Sequence, residues 1–93
     1  MAPATLDLDR GWQVHPRVAV RPERFGALLY HYGTRRLSFL KDPTLLAVVQ
    51  NLAEEPTARA ACAQVGISDD DLPRYRRALG SLAESQMVIE RTV

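Results

Sequence analysis

The side chains in this sequence that could take part in catalysis or metal binding are its two histidines, its one cysteine and a run of three aspartates. A nucleophilic Cys62 would need a nearby base and access to solvent, but it stands in an Ala-rich helical pattern where a buried thiol is usual. His31 lies between two tyrosines in a strand pattern with no second ligand at a useful spacing, so we expect a half-exposed strand histidine. The run 69–71 is interpreted as the start of a helix, because carboxylates stabilise the positive end of a helix.

Other catalytic patterns are missing from the sequence. It contains no Gly-rich phosphate loop, no CxxC pair and no nucleophile elbow around a serine. A single cysteine cannot supply the cysteine set of an iron–sulfur cluster. The sequence therefore predicts no catalytic residue, no metal site and no cofactor.

Length and composition describe an ordinary small domain. The chain has 93 residues, of which 46% are hydrophobic and 25% charged, with a net charge of +1. Residues 1–41 carry seven Lys or Arg against three Asp or Glu, whereas residues 42–93 carry five against eight. A basic front half favours a polar partner there, while the small total gives no overall field for nucleic acid. The lone cysteine and the lack of a signal segment or apolar span lead us to expect a soluble, cytoplasmic protein.

The stretch GALLYHYGTRRLSFL predicts a β-hairpin with a basic second strand. Strands over residues 27–32 and 35–40 would flank a two-residue II′ turn at Gly33-Thr34. This register pairs Tyr30 with Leu37 and Leu28 with Phe39. We assign the aromatic face to the core and the mixed face to partial exposure; the first carries Leu28, Tyr30, Tyr32, Leu37 and Phe39, and the second Ala27, Leu29, His31, Arg36, Ser38 and Leu40.

The remaining elements follow from periodicity and capping signals. Residues 1–11 are predicted to be a flexible segment, and residues 17–21 a short or edge strand that buries Val18 and Val20. Asp42-Pro43 starts a helix that ends near Pro56, and Thr57 caps a second helix that stops at Gly66. A third helix begins near Asp69, and residues 87–89 form a short closing strand. The inner side of the second helix comprises Ala58, Ala61, Cys62 and Val65, and that of the third Leu72, Tyr75, Leu79 and Leu82.

This order of elements predicts an α+β domain over residues 12–93. A three-stranded antiparallel sheet is followed by a three-helix, winged-helix-like bundle. The second and third helices, joined at Gly66, suggest one function: a small winged-helix regulator that binds DNA. The acidic start of the third helix opposes it, because phosphates would be repelled there.

The outer edge of the hairpin suggests a different function. An unpaired edge strand offers its backbone to an extended peptide, and the third helix beside it would complete a groove. The candidate peptide-binding residues are Arg35, Arg36, Leu37, Ser38, Phe39, Leu40, Arg74, Tyr75, Arg77 and Ala78. The same edge could instead be protected from aggregation by its own cations, or pair with a second copy of the chain. The residue pattern alone does not decide among these alternatives.

Several clustered motifs resemble one known family. They are HPRV at residues 15–18, FGAL at 25–28, YHYG at 30–33, RRLSFL at 35–40 and DLPRY at 71–75. Together with the helix between them, they resemble the PqqD-like recognition elements for ribosomally made, modified peptides, and among these the peptide chaperones of the mycofactocin pathway. The resemblance covers about residues 12–90.

The resemblance implies a non-catalytic protein with two partners. It implies binding of the leader region of a short precursor peptide, as a strand added beside residues 35–41 and packed against the third helix. It also implies delivery of that peptide to a radical S-adenosylmethionine maturase, which would carry the iron–sulfur clusters itself. The domain is expected to be a monomer or weak dimer, with neither nucleic acid nor membrane as a partner.

Overall fold

The computed structural model describes residues 6–91 as an α+β domain of three helices and two antiparallel sheets. A 3-10 turn at Leu52–Glu54 extends the first helix. The strands and helices, in chain order, are β1 Trp12–Val14, β2 Val18–Glu23, β3 Gly26–His31, β4 Leu37–Leu40, α1 Pro43–Asn51, α2 Ala58–Val65, α3 Leu72–Glu84 and β5 Val88–Glu90.

The main sheet has the order β2-β3-β4, so β4 is an edge strand. The second sheet pairs β1 with β5 and joins the two ends of the described chain. At the C-terminal end of β4, the carbonyl oxygen of Leu40 would lie 1.7 Å from a Cβ added at Gly26. Only glycine therefore allows β3 to start beside the last residue of β4.

The predicted hairpin register is confirmed, but the predicted turn is wrong. Tyr30 lies opposite Leu37 and Leu28 lies opposite Phe39, as the alternation of residues indicated. The loop is wider than a two-residue II′ turn, because the N–H of Arg35 donates to the carbonyl of His31 at 2.7 Å. Arg35, rather than Gly33, adopts the left-handed conformation, with φ of 63°.

The predicted core face of the hairpin is also wrong. Ala27 and Leu29 are fully buried, and Leu40 is 3% exposed, so the mixed face packs against the helices. Leu37 is 62% exposed and Phe39 is 49% exposed on the opposite face. Both faces carry large apolar side chains, so alternation gives no contrast between them. Contact with α1 decides the matter, because that helix lies on the side of Leu29.

The helix boundaries follow the predicted capping chemistry. The Asp42 side chain accepts from the N–H of Thr44, with Pro43 opening α1. Thr57 caps α2 in the same way, and Gly66 ends it in the left-handed conformation with φ of 93°. Only the third helix starts later than predicted, at Leu72, because Ser68 and the aspartates after it form a separate turn.

The core extends into a segment that the sequence assigns to a flexible N-terminus. Leu6 is 2% exposed and Leu8 is 6% exposed. The carbonyl of Leu8 accepts from the N–H of Arg59 at 2.9 Å, which fixes this segment to the start of α2. Leu6 and Leu8 therefore belong to the core, although the sequence predicted a loose segment there, whereas residues 1–5 lie outside the described part of the chain. Val18 and Val20 pack on the same core as predicted.

Candidate functional site

The outer edge of β4 carries backbone groups that β3 does not use. The N–H of His31 donates to the carbonyl of Arg36 at 2.9 Å, which places this pair at a hydrogen-bonded position of the ladder between β3 and β4. Hydrogen-bonded and non-hydrogen-bonded pairs alternate along an antiparallel ladder. Leu37 and Phe39 therefore occupy the non-hydrogen-bonded positions opposite Tyr30 and Leu28. Each of these two residues directs its backbone N–H and C=O away from β3, outward from the open edge of the sheet.

Two contacts bring helix α3 to the two ends of this edge strand. At one end of β4, the Tyr75 hydroxyl donates to Oδ2 of Asp42 at 2.8 Å. At the other end, Arg36 and Thr34 line a cavity of about 180 Å³ together with Glu84, Ser85 and Gln86 at the end of α3. The start and the end of the helix are thus placed at the two ends of the strand. From these two contacts we infer a groove between the strand and the helix, with β4 as one wall and α3 as the other.

The helix wall of the groove consists of small side chains. Positions 78, 81 and 85 share one side of α3 with position 74, because residues three and four apart lie above one another on a helix. Ala78 and Ser85 are half-buried and Ser81 is exposed. We expect small side chains at these positions to leave space for a bound peptide beside the edge strand.

The contact between Tyr75 and Asp42 is the polar anchor of the groove. Burial raises the pKa of Tyr75, and the hydrogen bond to the Asp42 carboxylate raises it further. Burial acts on Asp42 in the same direction, but hydrogen bonds from Tyr75 and from the backbone of Thr44 and Leu45 outweigh it and lower the pKa of Asp42. The pair is therefore a neutral phenol donating to a charged carboxylate at neutral pH.

Positive charge surrounds the groove. Arg35, Arg36, Arg74 and Arg77 are all exposed. The ion pairs found within residues 6–91 involve Arg10, Arg21 and Arg59 instead. The Arg74 guanidinium lies 5.0 Å from the centre of the Tyr75 ring, which holds one charge over the anchor. A carboxylate on a bound molecule would therefore meet arginines that form no ion pair within residues 6–91.

The structure brings the predicted peptide-binding residues together in two groups with different exposure. Leu37 and Phe39 are exposed, and Ser38 is half-buried. Leu40 and Tyr75 are buried, so their contribution is to the walls of the groove rather than to its open surface. The sequence did not indicate four residues that also belong to this region, since their positions depend on the crossing of α3 and β4: Thr34, Glu84, Ser85 and Gln86. Asp42 was predicted as a helix cap, and its second contact joins elements 33 residues apart.

His31 is buried rather than half-exposed. It is 3% exposed, and its ring centre lies 4.4 Å from that of His15. Its Nδ1 accepts from the N–H groups of Gly33 at 3.0 Å and Thr34 at 3.1 Å, so this atom must be unprotonated. Burial, followed by the positive charge of neighbouring His15 and Arg17, lowers the pKa of His31. The neutral ring therefore holds the loop between β3 and β4.

The remaining candidates for chemistry are explained by the fold. Cys62 is 1% exposed, and burial raises the pKa of its thiol, which opposes a role as nucleophile. Within residues 6–91, no three His, Cys, Asp or Glu side chains come close enough to hold a metal ion. None of the helices in that range is both long and apolar enough to span a bilayer.

Comparison with known proteins gives one consistent result. Residues 11–89 match the peptide chaperone MftB family. The chain is 60% identical over 86 residues to "Peptide chaperone MftB" of Mycobacterium tuberculosis (strain ATCC 25618 / H37Rv), covering 92% of this chain and 79% of the relative. It is 57% identical to the protein of the same name from Mycobacterium ulcerans (strain Agy99), covering 90% and 77% of the two chains.

A third relative extends the match beyond those two species. "Peptide chaperone MftB" of Mycolicibacterium smegmatis (strain ATCC 700084 / mc(2)155) is 53% identical over 85 residues, covering 91% of this chain and 83% of the relative. No solved structure matches the chain. The geometry of the groove therefore comes from the present structure, while the three relatives share the name of a peptide chaperone.

Proposed function

The chain belongs to the peptide chaperone MftB family, and from this premise we propose that it binds the leader region of a ribosomal precursor peptide by β-strand addition at β4. It presents that peptide to the radical S-adenosylmethionine maturase of mycofactocin biosynthesis. A peptide chaperone is not a catalyst, so the protein itself does not modify the peptide. The observation that carries the proposal is the open edge at Leu37 and Phe39, facing a groove whose other wall is α3.

Strand addition fits the chemistry of this edge. A leader segment beside β4 would exchange main-chain hydrogen bonds with the N–H and C=O groups of Leu37 and Phe39. Alternate leader side chains would then point to the two faces of the extended sheet. Those on the helix side would enter the space beside Ala78, Ser81 and Ser85. Those on the other side would continue the surface formed by Leu37 and Phe39.

The surrounding arginines favour a leader that carries carboxylates. Arg35 and Arg36 lie at one end of the groove, and Arg74 lies at the other beside Tyr75. Backbone pairing supplies affinity without regard to sequence, whereas charge at the two ends selects and orients the peptide. This division of roles explains why a short strand with two open positions can be specific.

The other parts of the proposal concern architecture and setting. We place residues 12–93 in one recognition domain with the PqqD-like, winged-helix-like arrangement that the sequence resembles. We further propose a cytoplasmic protein without cofactor or metal, present as a monomer or weak dimer. The DNA-binding alternative has less support, because Asp69, Asp70 and Asp71 are exposed in the turn that precedes α3.

The proposal is tested by titrating isotope-labelled protein with a synthetic leader peptide and following its amide resonances. Shifts should concentrate at Leu37 and Phe39 and along α3 from residue 74 to 85. The amide of Ser38, which points to β3, should also gain no additional protection from hydrogen exchange, whereas those of Leu37 and Phe39 should. Binding with shifts confined to α2 or to the β1–β5 sheet would contradict strand addition at β4.

A further inference from the structure

The outer face of the main sheet is an ordered apolar surface on the side away from the helices. All large apolar side chains that are strongly exposed within residues 6–91 belong to it: Phe25 and Phe39 at 49%, and Tyr32 and Leu37 at 62%. Single exposed apolar residues are common on proteins, but their concentration on one face indicates an interaction site. We call this surface the aromatic face; it comprises Phe25, Leu28, Tyr30, Tyr32, Leu37 and Phe39.

The side chains of the aromatic face are arranged in contact with one another. The Phe25 and Phe39 rings stack with their centres 5.0 Å apart, and Tyr30 meets Tyr32 edge-on at the same distance. Phe25, Phe39 and Lys41 line a depression of about 380 Å³ beside the first of these pairs. A preformed surface of this kind loses little side-chain entropy when another protein covers it.

The border of the aromatic face is strongly basic. Between residues 17 and 41 the chain carries six cations and one carboxylate, Glu23. The carboxylate is already engaged, since its Oε1 lies 3.2 Å from Nε of Arg21. The exposed cations left on the border or in the loops at its ends are Arg17, Arg24, Arg35 and Lys41.

This charge distribution selects among the occupants that could cover the aromatic face. A second copy docked face to face would bring two basic borders together, and juxtaposed like charges are costly. A protein that surrounds apolar side chains with carboxylates would satisfy both the centre and the border of the surface. The complementary occupant is therefore an acidic protein surface with an apolar centre.

The aromatic face and the groove are adjacent but separate. Leu37 and Phe39 direct their backbone groups along the edge and their side chains onto the aromatic face. Phe25 and Tyr32 lie outside β4 and contribute only to the face. A strand added at the edge would leave the face open and would extend it by the side chains that point outward.

We propose that the aromatic face is a second docking surface, which binds an acidic, apolar patch on the maturase while the groove holds the peptide. The identification of that partner rests on the proposed function, whereas the chemistry of the surface does not. A peptide held at β4 would lie at the boundary between the two proteins. The domain would thus act as a bridge with one surface for the peptide and another for the enzyme.

The test compares two double variants that add the same charge at different places. Phe25→Glu/Tyr32→Glu alters the aromatic face outside β4, and Ala63→Glu/Gln64→Glu alters exposed positions on α2 as the matched control. Affinities for the purified maturase and for a synthetic leader peptide are measured separately by calorimetry, and folding is checked by circular dichroism. We expect the face variant to bind the maturase about tenfold or more weakly, since a few central aromatic side chains dominate most interfaces. The control should remain within about twofold of wild type.

Leader binding by the folded face variant should weaken much less than maturase binding, because its backbone edge is unchanged and only the surrounding charge is reduced. Maturase binding that is equal for wild type and the face variant would overturn the proposal, as would wild type that binds no maturase. So would a wild-type dimer in sedimentation that the face variant converts to a monomer, because the face would then be a self-interface. If wild type binds the maturase but not the leader peptide, the proposed function is refuted. The comparison of maturase binding between wild type and the face variant still tests the aromatic face.

Discussion

The Tyr75 hydroxyl lies 2.8 Å from Oδ2 of Asp42, across 33 residues of sequence. Asp42 also caps α1 and directly follows the end of β4, so this one hydrogen bond joins the edge strand to the helix that forms the other wall of the groove. Tyr75 is 6% exposed, and water therefore replaces the contact poorly. The separation between strand and helix is set at this point.

Removal of that hydroxyl should weaken both the fold and the groove. Tyr75→Phe is expected to lower the free energy of unfolding by about 1–2 kcal/mol, because the lost hydrogen bond is to a charged acceptor. It should also weaken leader binding, since α3 loses its tie to the end of β4. Urea unfolding and calorimetric titration measure the two effects. Tyr32→Phe is the control, as that side chain is 62% exposed, and equal stability of the two variants would contradict the role of the contact.

The assignment of faces in the hairpin can be checked by truncation. Leu29 is fully buried, so Leu29→Ala should reduce the free energy of unfolding by about 2–4 kcal/mol through lost contacts and a residual cavity. Leu37 is 62% exposed, and Leu37→Ala should change it by no more than about 0.5 kcal/mol. Chemical denaturation of the pair distinguishes the two faces directly. The reverse order of effects would restore the aromatic face to the core.

Proline substitution separates the backbone role of β4 from its side chains. Phe39→Pro removes an N–H that points along the open edge, whereas Ser38→Pro removes one that belongs to the ladder with β3. We expect the first variant to fold and to bind leader about tenfold more weakly than Phe39→Ala, which keeps the donor. Ser38→Pro should destabilise the domain by about 3 kcal/mol or more. Equal leader affinity of Phe39→Pro and Phe39→Ala would exclude strand addition at this position.

The buried histidine should make the domain sensitive to mild acid. The folded protein holds His31 neutral with a pKa below 6.5, whereas the unfolded chain takes up a proton near 6.5. The contribution of His31 to the free energy of unfolding is therefore fully present above pH 6.5. It declines as the pH falls from 6.5 towards the pKa of the folded state. Urea unfolding at a series of pH values should show this decline for wild type.

The matched variant for that series is His31→Asn. Its side-chain oxygen can accept from the backbone of the loop without titrating, as Nδ1 of the histidine does. Its stability should depend less on pH between 5 and 6.5 than that of wild type. Identical pH profiles would show that His31 does not hold the loop through its neutral form.

Local features of this protein were predictable from sequence because they depend on neighbouring residues. Asp42, Thr57 and Gly66 cap helices through atoms within a few positions along the chain, and the structure confirms each. The hairpin register was predictable for the same reason, since alternation fixes which residues lie opposite one another.

Tertiary structure alone decided which face of the hairpin is buried and what stands opposite its edge. Both faces carry large apolar side chains, so burial depends on where α1 packs, and Leu29 rather than Leu37 meets it. The burial of Leu6 and Leu8 has the same origin, because their partners lie on elements far along the chain. The groove that we infer depends likewise on the return of α3 to the end of β4, where Tyr75 contacts Asp42. Long-range contacts of this kind leave no periodic signal in the sequence.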